Sequence, residues 1–205
     1  MVDFHGIAII KNRKHLTKAI QPIAALRLTF SLWCIMTRKQ RLRRVGILCC
    51  HCLRNLAFYK AGWQDGKLIF KDQFWVNANG NFLKICVMEW CKLFGDVSGA
   101  HYWAKVISQP KDFFNGLLQG INITETEFNA YIKEMRTYRD KFIAHLDSDM
   151  IMHIPKLDVA RKSAAYLYDY LLAKEDEGDF FLDAPSKAST FYQRFLKEGK
   201  SVYDE

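Results

Sequence analysis

Thr124 and Glu127 stand three residues apart, directly before Phe128. A Ser or Thr followed three residues later by Glu is the capping box that opens helices, because each side chain satisfies a backbone N–H of the other residue. From there Phe128, Ile132, Met135, Phe142 and Leu146 recur near one face at helical spacing, with Tyr131, Tyr138 and Ile143 flanking it. Asp147, Ser148 and Asp149 mark the exit. A helix this well defined must bury one stripe against other elements.

Those elements read as helices too. The 205 residues include only 11 Gly and 4 Pro, too few for a turn-rich β protein. Half of the residues are hydrophobic and 14% aromatic, a globular composition. A chain of this length buries roughly 70% of its unfolded surface. Residues 41–63 repeat apolar positions at spacings of three and four (Val45, Leu48, Cys49, Cys52, Leu56, Tyr59), and Gly62 closes the run. Residues 64–80 are irregular, with Asp65-Gly66 and Asn79-Gly80 as turn signals. Leu68-Ile69-Phe70 could be a short strand but has no evident partner, so no sheet is predicted. Residues 81–94 form an apolar helix stopped by Gly95, and residues 98–107 a short one. Pro110 opens another that Gly120 ends. After Pro155 come a long helix over 156–174, an acidic loop containing Phe180-Phe181-Leu182, and a terminal helix over 186–197. The expected fold is an all-α bundle of four main helices plus short ones. Its expected limits are residues 41–205, preceded by a basic extension over residues 1–40.

Charge is distributed unevenly. Residues 1–60 hold twelve Lys/Arg and one acid, Asp3, a net +11, while the remainder sums to −3. Such a block attracts nucleic acid or an anionic membrane, unless it is simply a solvated leader. Arg38, Lys39, Arg41, Arg43 and Arg44 are its densest run. The apolar residues 23–36, where Pro22 could start a helix, contain Arg27 and are too short to span a bilayer. Residues 1–10 lack the order of a secretory signal. Cys49-Cys50-His51-Cys52 has no second ligand pair at zinc spacing, and Cys86 and Cys91 are five apart. Reduced core cysteines of a cytoplasmic protein explain the set better than zinc does.

The chemistry-bearing residues are Arg139, Asp140 and His145. On a straight α-helix Arg139 and His145 stand about 9 Å apart in height and about 120° apart around the axis. To share a substrate atom, the helix must end between them, or two copies must meet across a dimer. Arg is a planar, permanent cation suited to a phosphodiester, and His carries protons near neutral pH. Together they could cleave RNA without metal, with Asp140 holding either the imidazole or the guanidinium. The same residues also fit a solvated Arg-Asp pair and a dipole-capping His.

Arg139-Asp140-Lys141-Phe142-Ile143-Ala144-His145 resembles the HEPN superfamily signature, an Arg, a polar residue, then His after a gap of four to six residues. Phe142 to Asp147 resembles the form seen in abortive-infection HEPN proteins. The resemblance implies a HEPN-like helical bundle over roughly residues 45–175. It also implies a metal-independent, cofactor-free endoribonuclease acting on RNA as a homodimer, often a toxin or phage-defence effector, with an antitoxin protein as a further partner. Arg139 and His145 would be its catalytic pair and Asp140 the supporting polar residue, with Arg38, Lys39, Arg41, Arg43 and Arg44 binding RNA. One subgroup carries, two residues after the His, a Tyr to which a partner enzyme attaches nucleotides; here that position is Asp147, a departure from its pattern. The alternative is a non-catalytic helical interaction module that uses Trp63, Trp75, Trp90 or Trp103.

Overall fold

The computed structural model describes residues 36–144, 153–176, 181 and 183–203. Pro22 and the apolar residues 23–36 up to Ile35 lie outside them, as do His145, Leu146, the exit at 147–149, Phe180 and Leu182. The described residues form an all-α fold of six α-helices with one minimal hairpin.

Helix α1, Arg38–Ala61, is the central element. Thr37 and Gln40 close a reciprocal capping box at its start, three residues upstream of where periodicity places it. Leu42, Val45, Cys49, Cys52, Leu53 and Leu56 are fully buried along it. That stripe packs against three later helices. Gly62 ends α1, as its position predicts.

A hairpin follows that the sequence reading did not include. Strands β1, Trp63–Gln64, and β2, Lys67–Leu68, pair antiparallel with Trp63 opposite Leu68. Asp65 and Gly66 both have positive φ, 49° and 76°. That is the backbone of a two-residue I′ turn, for which Asp-Gly is well suited. The turn was legible; the partner strand was too short to be.

Helix α2, Gln73–Trp90, starts eight residues earlier than predicted, capped by Asp72. Asn79-Gly80 is therefore helix interior and not a turn. Asn79 is buried, donates to the Tyr59 carbonyl at 2.9 Å and accepts from Trp63 Nε1 at 3.1 Å. These bonds tie α2 and the hairpin to the end of α1, and they outweigh the turn preference of the dipeptide. Cys91–Gly95 then continues as one turn of π-helix, closed by Asp96 N–H donating to the Cys91 carbonyl at 2.8 Å. Of the expected short helix over 98–107, only a 3₁₀ turn at Trp103–Lys105 forms.

Helix α3, Pro110–Ile121, begins on its proline but ends at Asn122 (φ 58°), not at Gly120. Gly120 lies in the last turn, where a Cβ would meet the Tyr166 ring at 3.3 Å, so the glycine allows close packing rather than ending the helix. Helix α4, Glu125–Tyr138, carries the expected capping box. Its buried stripe is Phe128, Tyr131, Met135 and Tyr138, whereas Ile132 and Phe142 are only partly buried. The face is thus rotated toward the tyrosines relative to the sequence expectation. Trp90 is the reason: its ring meets those of Tyr131 and Phe128 edge-on at 5.2 and 6.2 Å.

Helix α5, Leu157–Tyr170, also ends in a π turn, Leu171–Glu175, and α6, Ala188–Tyr203, closes the described chain. Trp90 Nε1 donates to Ser163 Oγ at 2.8 Å, and Asp169 caps α6 by accepting from Ala188 N–H at 2.9 Å. Among the described residues no helix is long and apolar enough to cross a membrane.

The α4 cap makes a pH-dependent contribution. Hydrogen bonds from the Thr124 backbone and hydroxyl hold the Glu127 carboxyl below its ordinary value. A carboxyl lowered in the folded state stabilises above its unfolded pKa, and that stabilisation is lost as pH falls through the folded value. Glu127→Gln should therefore lower the urea midpoint at neutral pH, and the gap to wild type should close in acid. A pH-independent gap would show that the carboxylate charge plays no part.

Candidate functional site

Helix α4 delivers the motif. The α winding stops at Tyr138 and Arg139–Ala144 forms a π turn. The straight helix behind the 9 Å and 120° estimate is therefore not the geometry present: π winding bonds i to i+5 and changes the angular step between successive side chains. Such turns recur at functional sites. His145 lies outside the described residues, so the part of the site with a defined geometry is Arg139 and Asp140.

Arg139 is held from two sides. Its Nε donates to Asp140 Oδ1 at 2.8 Å and its Nη1 to Asp96 Oδ1 at 2.6 Å. Asp140 thus pairs with the guanidinium. Arg139 is 15% exposed, Asp96 35% and Asp140 52%. The bond to Asp140, then that to Asp96, raises the Arg139 pKa above its already high value despite partial burial. The group is a permanent cation in a fixed orientation. Among the described residues its Nη2 makes no hydrogen bond.

Asp96 is a partner that sequence reasoning missed. It follows the π turn of α2, 43 residues from Arg139, and no spacing rule could join them. Beneath the pair, burial pushes the Cys91 thiol up to about 12, against the pull of Arg139. A thiol so raised is a poor nucleophile.

A groove of about 410 Å³ runs beside the motif, lined by Lys133, Thr137, Tyr138, Lys141, Phe142 and His153. His153 is a second imidazole near the motif that the sequence reading did not single out.

The five basic residues of α1 do not share one face. At about 100° per residue, Arg38, Arg41 and Arg44 fall on one side and Lys39 and Arg43 on the other. Arg38 is tied to the buried Glu175, which also accepts from Ser108 N–H at 2.8 Å. Arg43 borders a cavity of about 270 Å³ with Cys50, His51, Tyr168 and Phe181. Arg41 and Arg44 lie near His101, whose pKa burial lowers first, with Arg44, Lys92 and Arg41 adding to the effect.

Among the described residues the cysteines are not arranged as a cage. Cys49 to Cys52 are consecutive on α1 and point in successive directions, with Cys49 and Cys52 in the core and Cys52 Sγ 3.8 Å from Cys86 Sγ. Of the four tryptophans considered for an interaction surface, Trp90 and Trp103 are core residues, while Trp63 is 36% exposed.

No family model, curated protein or solved structure matches this chain.

Proposed function

We propose that this chain is a metal-independent endoribonuclease of HEPN type, acting on RNA as a cytoplasmic homodimer in the manner of a toxin or phage-defence effector. The observation that carries the reading is Arg139, oriented by two carboxylates at the start of a π turn, with Nη2 making no hydrogen bond among the described residues. Preorganised donors of this kind stabilise charge as it develops on phosphorus without reorganising. His145, six residues on in sequence, supplies the proton carrier. It takes the proton of the ribose 2′-hydroxyl as the 2′-oxygen bonds to phosphorus. The bond to the 5′-oxygen then breaks, and that oxygen is protonated as it leaves. The products are a 2′,3′-cyclic phosphate and a 5′-hydroxyl.

Purified protein incubated with total RNA should cleave it equally with and without EDTA, leaving 2′,3′-cyclic phosphate ends. Activity lost on chelation and restored by magnesium would overturn the mechanism.

A second reading rests on the same pair. Two ion pairs on an arginine that is 15% exposed also describe a clamp fastening the turn after α2 to the end of α4. In that case the chain is a non-catalytic helical interaction module. Absence of cleavage, combined with loss of fold in Arg139→Ala, would favour it.

A further inference from the structure

We infer that Arg41, Arg44, Lys92 and His101 form a binding site for a phosphate group, built on different residues from Arg139. Arg41 and Arg44 are one turn apart on the same side of α1, Lys92 comes from the π turn after α2, and His101 from the loop that follows it. The third arginine on that side, Arg38, has its carboxylate in Glu175. Arg41 and Arg44 have none: among the described residues no ion pair neutralises either. Glu89 is a carboxylate that acts on His101, and it is paired with Lys92 at 3.1 Å. Positive charge therefore exceeds negative at this place.

A second observation points to a missing partner. Arg41 Nε and His101 Nε2 are both closed off from solvent and, among the described residues, make no hydrogen bond. Buried polar atoms are nearly always paired, and an orphan often marks the place of an absent ion or water. Because no bond holds either atom, turning the guanidinium and the imidazole toward an anion breaks nothing. Phosphate suits the donors: two guanidinium groups offer paired N–H donors, and an ammonium and an imidazolium add charge. Burial first, and then Arg44, Lys92 and Arg41, depress protonation of His101, and a bound anion opposes the cationic part of that influence.

The test is NMR of histidine-labelled full-length protein, with the His101 signal identified by its loss in His101→Gln. Inorganic phosphate, a deoxyoligonucleotide and sodium chloride are added at matched ionic strength. Phosphate should move the His101 signal and raise its titration midpoint where chloride does not. Arg44→Gln, an exposed substitution, should weaken phosphate binding about tenfold, the loss of one charge-assisted contact. A response to the oligonucleotide but not to free phosphate would assign the site to a nucleic-acid backbone. Identical responses to all three additions, or unchanged affinity in Arg44→Gln, would overturn the inference. No arm reads cleavage, so the result does not depend on whether Arg139 is catalytic.

Discussion

If the chain cleaves RNA as proposed, Arg139→Ala and His145→Ala should each lower cleavage by about 10²–10⁴-fold while the protein remains folded. On that proposal, loss of the imidazole would remove the proton carrier, and loss of the guanidinium would remove charge stabilisation at phosphorus. The structural cost of Arg139→Ala is small for a physical reason. Its partners are 35% and 52% exposed, so water resolvates both carboxylates, and partly exposed ion pairs contribute about 0–1 kcal/mol each. None of the four buried aromatic and sulfur side chains of α4 is touched. Cleavage measured beside circular dichroism and sedimentation separates the effects. Full activity in His145→Ala would eliminate the nuclease reading. Arg139→Lys adds a discriminating arm: an ammonium cannot keep two fixed bonds and still present a third donor in the same plane, so activity should fall in a protein of nearly unchanged stability.

Trp90→Ala should cost about 3–5 kcal/mol of stability, a large part of the roughly 5–15 kcal/mol that holds a domain together. Trp90 has no exposed surface. It stacks on Phe94 at 5.2 Å, meets Phe128 and Tyr131 edge-on, and donates to Ser163 Oγ. It therefore joins α2, α4 and α5 at one point. Truncation leaves a cavity lined by rings too large to collapse into it, and it removes the hydrogen bond. Trp90→Phe should cost less, because a ring remains. The readout is the urea midpoint by circular dichroism. A loss below about 1 kcal/mol would mean that the helices close around the gap. Because Tyr131 lies on α4, seven residues before Tyr138, the substitution should also loosen the helix that presents Arg139.

The helix ends that were legible were those whose signals are local. Thr124 with Glu127, Pro110 at a first turn, and Gly62 after α1 each act through bonds or backbone angles within a few residues. The apolar repeats of α1 and α5 were legible for the same reason, since burial follows the helical period. Arg139 and Asp140 were singled out by residue type and order alone, and their mutual bond is local.

What the tertiary structure decided was every feature whose partner is distant in sequence. Asn79 is helical because Tyr59 and Trp63 hold its amide. Tyr131 and Tyr138 replaced Ile132 and Phe142 on the buried face of α4 because a face is chosen by what stands opposite, here Trp90. Asp96 reaches Arg139 across 43 residues, and Arg38 is drawn to Glu175 from 137 residues away. Local preferences are worth a few tenths of a kcal/mol to about 1 kcal/mol each, whereas burying a large side chain or pairing a buried amide is worth more. Where the two disagreed in this chain, packing decided.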